Sequence, residues 1–243
     1  MNSIQWRVVV SSGLLLLGAM SAGAAYQVVA GGVADGGSVT GRVVFDGTPP
    51  TPAMLTVDED AEACGGDRPA VDLVVAADGG IQNVVLAIEG VSAGKDWDFS
   101  EEFVYDQDQC RFVPHVLLVK PQTPGVVKNS DSIGHNFHSI SKGIFNTNKK
   151  MNAATEIAVQ GNRIRRPGVV RIKCDIHSWM SGWWYVAATP YTVLTGADGS
   201  FSISDIPAGT YTIKIWHETL GESEQTVVVE PNQATEFDVS LSL

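Results

Sequence analysis

Positive charge, cysteine and long apolar runs are all scarce in this sequence of 243 residues. The chain has 16 Lys+Arg against 27 Asp+Glu, and its formal net charge of −11 repels the phosphates of nucleic acid. We therefore expect no nucleic-acid partner. An uncharged apolar run covers residues 8–20, and no second run is long enough to cross a bilayer. The rest of the chain is predicted not to insert into a membrane.

The amino-terminal residues have the pattern of an export signal. Arg7 precedes the apolar run at 8–20, and small residues follow at 22–25. We predict a signal peptide over residues 1–25, cleaved near its end, and a protein located in the periplasm or otherwise exported. An uncleaved amino-terminal anchor is the alternative.

The cysteines are odd in number, which is unusual for an exported chain. Thiols normally pair as disulfides in an oxidising compartment, so one of Cys64, Cys110 and Cys174 needs another explanation. Cys174 lies close to a histidine and a methionine, a setting typical of a metal ligand. We therefore pair Cys64 with Cys110. Three reduced thiols are the alternative, because spacing alone does not fix connectivity.

Alternation of apolar and polar residues predicts β-strands along nearly the whole chain. Gly, Pro, Asp or Asn bounds each run, and the predicted strands include 37–46, 81–90, 114–120, 170–175 and 183–188. Residues 151–158 fit either a short helix or a loop. Trp183 and Trp184 are adjacent in a strand, so we expect one to enter the core and the other to be exposed or covered by a second module.

The carboxy-terminal part predicts a meander of antiparallel strands. Asp198 and Gly199 lie between two alternating runs, which is a strong hairpin signal, and a second turn is predicted at Pro231 and Asn232. A meander needs a second sheet over its apolar face. We predict an all-β chain with two sandwiches, and leave open whether their strands are interleaved in sequence.

Strand alternation places Cys174 on an inward face. Val170, Ile172 and Cys174 share one side of their strand. His177 and Met180 follow at steps of three, in a loop that can curl around a single point. This Cys-x2-His-x2-Met array gives a thiolate, an imidazole and a thioether for a metal.

A further ligand is expected from a neighbouring strand, and His135 is our choice. His138 lies three positions later, so in an extended strand it faces the opposite side. One thiolate, two imidazoles and a weak thioether are typical of blue-copper sites, whereas zinc prefers four strong ligands or an open water position. We therefore predict one copper ion.

These motifs resemble the cupredoxins, the small blue-copper proteins, with a loop spacing closest to amicyanin. The resemblance is carried by "HNFH" at 135–138 and "CDIHSWMSG" at 174–182. It implies a Greek-key sandwich whose copper ligands are His135, Cys174, His177 and Met180. It also implies that Asn136 hydrogen-bonds the cysteine loop.

A second resemblance covers the carboxy-terminal part. Through "TGADGSFSISDIPAGTYTIKI", residues 190–243 are similar to the carboxypeptidase-regulatory-like, transthyretin-like sandwich. The combination resembles bacterial plastocyanin-like and methylamine-utilisation proteins. It implies a cupredoxin-like domain over 26–188 with an amino-terminal β extension, and a regulatory-like module over 189–243 that could recruit the strand at 37–46.

The resemblance implies an electron carrier in which His177 lies near the surface and is the point where the electron leaves the protein. The expected partners are redox proteins such as a c-type cytochrome or a periplasmic dehydrogenase. For Trp179 we favour a role in partner docking slightly over simple loop packing. The alternatives are a copper carrier or sensor, and an interaction protein that binds no metal. His115 and His217 are expected to be hydrogen-bonded rather than metal ligands.

Features of the common enzyme classes are absent. Five histidines do not suffice for a multicopper oxidase after two are used at one centre. The sequence lacks the His-Glu-x-x-His motif of zinc peptidases. We therefore expect a protein that is not an enzyme, although a nucleophilic triad stays open.

Overall fold

The computed structural model describes residues 26–243, so the predicted signal peptide lies outside the described residues. Strands dominate this part of the chain, with one short α-helix and one 3₁₀ turn. None of the helices in residues 26–243 is long and apolar enough to cross a membrane. The predicted all-β class is confirmed.

The strands are numbered in chain order. The first ten are β1 (Gln27–Val28), β2 (Gly37–Phe45), β3 (Met54–Leu55), β4 (Arg68–Pro69), β5 (Val85–Glu89), β6 (Ala93–Gly94), β7 (Phe103–Asp108), β8 (Arg111–Val113), β9 (Val116–Val119) and β10 (Gly125–Asn129). The others are β11 (His135–Ile140), β12 (Thr147–Met151), β13 (Thr155–Val159), β14 (Gly168–Lys173), β15 (Ser181–Val186), β16 (Thr192–Leu194), β17 (Ser200–Ile206), β18 (Gly209–His217), β19 (Gly221–Val229), β20 (Ala234–Glu236) and β21 (Val239–Leu241). Helix α1 is Ala61–Cys64, and the 3₁₀ turn is Gly161–Arg163.

The first sandwich is formed by β7 to β15, the middle part of the chain. One of its sheets has the order β13-β10-β7-β8, and the other has the order β12-β11-β14-β15-β9. Alternate residues of both sheets point into one shared core, whose largest fully buried side chains include Trp184, Tyr105 and Phe137. Residues 151–158, left open between helix and loop, form the end of β12 and the start of β13.

The second sandwich combines early and late parts of the chain. One sheet has the order β16-β5-β18-β19, and in the other β2 pairs with β17 on one side and with β20 and β21 on the opposite side. The strand at 37–46 is thus recruited, as the resemblance suggested. At Gly41 in β2 a Cβ atom would lie 2.1 Å from the carbonyl oxygen of Phe237, so only glycine allows this approach.

The predicted boundary between residues 188 and 189 needs correction. Strand β5 lies within the predicted domain over 26–188, but it pairs with β16 and β18 of the second sandwich. The second sandwich therefore takes two strands, β2 and β5, from before residue 188. Alternation fixes which face of a strand is buried but does not identify the neighbouring strand, which explains the error.

Aromatic side chains join the two sandwiches. Trp184 is 0% exposed in the first core, whereas the ring of Trp183, on the opposite face of β15, lies 5.6 Å from the ring of Trp216 in β18. One tryptophan thus enters the core and the other is covered by the second module, as predicted. Glu218 accepts a hydrogen bond from Trp183 Nε1 at 2.6 Å and also contacts Nε2 of His115.

A segment that we call the cap, residues 54–69, contains β3, α1 and β4. A disulfide between Cys64 and Cys110 ties it to the turn between β7 and β8, and this is the pairing favoured from the cysteine count. Arg68 adds to the attachment by donating to the carbonyl oxygens of Cys64 and Gln109. The cap is therefore fixed to one end of the first sandwich.

Candidate metal centre

Cys174 follows β14 directly, and the alternation of that strand points its side chain inward. Val170 and Ile172 are both 0% exposed and Cys174 is 4% exposed, whereas Arg171 between them is exposed. Cys174 is the free cysteine of the described chain. Its thiol therefore lies inside the first sandwich.

A tight loop follows Cys174. The backbone N–H of Met180 donates to the carbonyl of His177 at 3.0 Å, and that of Cys174 donates to the carbonyl of Met180 at 3.2 Å. Beyond the loop, a Cβ at Gly182 would lie 2.1 Å from the hydroxyl of Tyr105, so glycine is needed there. The closed loop brings the thiol, imidazole and thioether to the same end of the sandwich.

Three donor atoms converge on one buried point. His135 is the first residue of β11, and its Nδ1 lies 2.9 Å from Nδ1 of His177, which in turn lies 3.7 Å from Sγ of Cys174. All three donor atoms lie within 4.8 Å of one another. Both histidines are 0% exposed. Met180, the fourth predicted ligand, is 1% exposed and closes the same loop.

Each histidine contacts a carboxylate on the side away from this point. Oδ2 of Asp131 lies 2.7 Å from Nε2 of His135, and Oδ2 of Asp60 lies 3.0 Å from Nε2 of His177. A carboxylate there accepts a hydrogen bond from Nε2–H, which leaves Nδ1 of each ring unprotonated and able to bind a metal. Burial lowers the pKa of His135, and Asp131 opposes that shift.

Sequence reasoning missed both carboxylates. Asp60 belongs to an acidic run in the cap and is separated by 117 residues from His177, so no local pattern links the two. Asp131 was within reach of sequence reasoning, because it lies four residues before His135 in a turn-rich stretch.

Asn136 supports the cysteine loop through its backbone and its side chain. Its N–H points to Sγ of Cys174 at 3.3 Å, and its Oδ1 accepts from the N–H of Asp175 at 3.3 Å. Its Nδ2 donates to Asn148 at 2.6 Å. Asn136 thus links β11, β12 and the loop, and makes the contact that the resemblance implies.

Two predictions about exposure at this site are wrong. His177 is 0% exposed rather than near the surface, because Asp60 of the cap covers its outer nitrogen. Trp179 is only 8% exposed, its Nε1 donates to the carbonyl of Cys110 at 3.3 Å, and its ring packs 5.0 Å from the ring of His177. Trp179 therefore packs the loop and does not form an exposed docking patch.

The other histidines lie outside the cluster. His138 is on the opposite face of β11, where its Nδ1 contacts the carboxylate of Asp175. His115 contacts Glu218, and Nδ1 of His217 accepts from the backbone N–H groups of Thr219 and Leu220. All three have hydrogen-bond partners, which was expected from the sequence for His115 and His217.

The converging donors fit a soft transition metal. A thiol and two imidazole nitrogens meet in a buried space, and the carboxylates behind the rings orient both nitrogens toward it. A second possible group consists of Cys110, Asp131 and His135, but the sulfur of Cys110 is already bonded to Cys64. The candidate centre is therefore the cluster of His135, Cys174 and His177, with Met180 beside it in the loop.

Comparison with known families assigns the later part of the chain. Residues 185–242 match the carboxypeptidase regulatory-like domain, which agrees with the resemblance noted for residues 190–243. A search of curated proteins found no match.

Among solved structures, the chain is similar to a purple cupredoxin from Nitrosopumilus maritimus, with 21% identity over 35% of this chain and 98% of that chain and a TM-score of 0.29. It is similar to a reduced amicyanin variant, with 17% identity over 37% of this chain and 86% of that chain and a TM-score of 0.31. The copper-containing nitrite reductase from Thermus scotoductus has 18% identity over 42% of this chain and 25% of that chain, with a TM-score of 0.33. The case for a metal at this site depends on its own side chains.

Proposed function

We propose that this protein is an exported blue-copper protein that carries single electrons between redox partners. The supporting observation is the buried convergence of Nδ1 of His135, Nδ1 of His177 and Sγ of Cys174. With the thioether of Met180, these donors form the set typical of type 1 copper.

Copper bound there would supply a one-electron couple, because this set of ligands accommodates both Cu(I) and Cu(II). The protein's part is to hold the donors still. Asp131 and Asp60 orient the two imidazole rings, and Asn136 fixes the loop beside the sulfur. Donors held in this way rearrange little when the charge of the site changes, which favours rapid electron transfer.

Export and partners follow from features outside the site. The amino-terminal pattern at 1–25 and the Cys64–Cys110 disulfide are both typical of proteins in an oxidising compartment. We expect a c-type cytochrome or a periplasmic dehydrogenase as partner. The net charge of −11 favours a partner with a positive docking face, mainly by raising the association rate. Because the cap covers His177, a partner at this end would contact the cap first.

Copper delivery is the less favoured alternative. A protein that passes copper on must expose its ligands, whereas here the three donors lie on residues that are 0–4% exposed. Stopped-flow reduction by a cytochrome and metal loss to a chelator separate the two functions. An electron carrier is reduced rapidly and retains its copper. A delivery protein is reduced slowly and loses its copper to the chelator.

The test is the visible and electron-paramagnetic spectrum of the mature protein loaded with one equivalent of Cu(II). We expect intense visible absorption from the bond between Cys174 and copper, and its complete loss in Cys174→Ser. His138→Asn is the matched control, because His138 lies on the opposite face of β11, and it should keep the spectrum. A colourless copper complex, or colour that survives in Cys174→Ser, would refute the proposal.

A further inference from the structure

We propose that a cleft between the cap and the two sandwiches binds a small organic carboxylate with an apolar body. The cleft encloses about 400 Å³, within the range of small-molecule sites. Its walls come from the cap, from the segment 69–83, from β8 and from residues 178–181 of the cysteine loop. These four separate parts of the fold thus meet around one space.

Positive charge is concentrated in this cleft although the chain as a whole is acidic. Arg68, Arg111 and Arg171 line it, against a single lining carboxylate, that of Asp72. Within residues 26–243, neither Arg111 nor Arg171 forms an ion pair. Two guanidinium groups at the cleft therefore have no carboxylate partner in this part of the chain, although that of Arg171 lies 6.0 Å from the ring of Trp183, and arginine binds an anion through paired hydrogen bonds.

Arg68 shows that these charges lie close enough to influence one another. Burial lowers its pKa, and the positive charge of Arg111 lowers it further, with Asp131 opposing both. Its own hydrogen bonds go to the carbonyls of Cys64 and Gln109. An anion in the cleft would offset the repulsion between Arg68 and Arg111 without disturbing the attachment of the cap.

The remaining walls favour an organic anion over an inorganic one. Apolar side chains make up much of the lining, and they include Leu55, Val71, Val74, Phe112 and Trp179. A phosphate or sulfate would use the arginines but leave these side chains against water, whereas a ring would bury against them. The combination matches a molecule with one carboxylate and one aromatic or aliphatic body.

The cleft adjoins the candidate metal centre without depending on it. Trp179 and Met180 line the cleft, and the Trp179 ring lies 5.0 Å from the ring of His177. The arginines that would hold the carboxylate are not among the converging donors. Binding is therefore measurable on the metal-free protein, and its failure would leave the copper proposal untouched.

The test is isothermal titration of the mature, metal-free protein with 2-naphthoate. We expect one molecule bound per chain, about tenfold more tightly than the neutral 2-naphthalenemethanol or inorganic sulfate. The double variant Arg111→Gln/Arg171→Gln should weaken 2-naphthoate about tenfold and leave the alcohol unchanged. Each single variant should give part of that loss. Arg166→Gln, a matched change of an exposed arginine outside the cleft, should bind as the wild type does.

Several results would overturn the proposal. Equal binding of 2-naphthoate and its alcohol would show an apolar pocket with no use for charge. Sulfate binding as tightly as 2-naphthoate would show a simple anion site. If Arg166→Gln lost as much affinity for 2-naphthoate as the double variant, the binding would reflect non-specific attraction of the anion to positive charge. Absence of measurable binding would exclude the site for this class of molecule.

Discussion

The two sandwiches have the same architecture of two packed sheets but very different cores. The second core is built from aliphatic and aromatic side chains, among them Val39, Leu86, Tyr191, Ile203 and Ile213. In the first sandwich, buried polar or ionisable groups accompany the aromatic core, namely His135, His177, Cys174, Gln107, Asn129 and Asn136. The side chains that could carry chemistry are therefore concentrated in the first sandwich. The second core has mainly apolar side chains, as expected of a structural scaffold.

Hydrogen bonds compensate much of the polar burial in the first sandwich, although the hydroxyl of Tyr105, Oε1 of Gln107 and Nε1 of Trp184 have no partner among the described residues. A buried polar group without a partner costs free energy, so a cluster of them persists only when the fold provides contacts. Asn129 donates to the carbonyls of Ile133 and Asn152, and Gln107 donates to that of Lys128. The fold therefore concentrates buried amide and imidazole side chains around the candidate centre, whereas buried hydrogen bonds of the second sandwich include those of threonines such as Thr195.

The largest effect on stability is expected from the second core. Ile213 is 0% exposed in β18, and Ile213→Ala should lower the free energy of unfolding by about 3 kcal/mol, because it removes buried apolar surface and leaves a cavity. Chemical denaturation measures this loss. The copper spectrum should be unchanged while the protein is folded, since no donor lies in this sandwich.

The matched control is Val228→Ala in the adjacent strand, where the side chain is 49% exposed. We expect a change within about 0.5 kcal/mol. If Ile213→Ala instead altered the copper spectrum of the folded protein, the separation of scaffold and site would be wrong.

A smaller effect, confined to metal binding, is expected from the carboxylates behind the histidines. The side chain of Asp131 is 11% exposed and that of Asp60 is 48% exposed. Asp131→Asn should weaken Cu(I) binding by about 10–100-fold, as loss of a group that orients a metal ligand does, and Asp60→Asn should weaken it less because water partly replaces the carboxylate. Competition with a Cu(I) chelator measures both affinities.

Asp78→Asn serves as control, because Asp78 pairs with Arg42 on the surface, remote from the metal centre. Its copper affinity should equal that of the wild type. Equal losses of copper affinity in the Asp131 and Asp60 variants would show that burial of the carboxylate does not determine how strongly it supports its histidine.

The sequence identified the converging donors because local patterns determine them. Strand alternation sets the direction of Cys174, and the loop spacing sets His177 and Met180. His135 was expected on a neighbouring strand, where alternation separates it from His138. The cap contacts could not be predicted, since Asp60 meets His177 across 117 residues. The exposure of His177 and Trp179 was misjudged for the same reason.

Strand partners were likewise beyond local patterns. The run 81–90 was predicted as a strand and contains β5, but its pairing with β16 and β18 depends on the whole fold. Residues 155–159 form β13 because they pair with β10, although their own sequence fits other structures. The sequence predicts which face of a strand is buried, whereas tertiary packing determines which strands pair with it.

The smallest effect concerns His217, a buried ionisable group near the junction of the sandwiches and an exception to the apolar character of the second. It is 2% exposed, and burial lowers its pKa, with the charge of His115 acting in the same direction and Glu218 opposing. Protonation would also remove Nδ1 as acceptor for the N–H groups of Thr219 and Leu220.

The folded state therefore binds this proton less readily than the unfolded chain, whose histidine pKa is about 6.5. Stability from His217 is complete above about pH 6.5 and declines as the pH falls below that value, until the folded pKa is reached. Urea midpoints of the metal-free protein at several pH values between about 5 and 8 test this. His217→Asn should flatten the decline relative to wild type. An identical pH dependence of the urea midpoint in wild type and His217→Asn would show that titration of the buried His217 does not affect stability. The second sandwich would then have no exception to its apolar character.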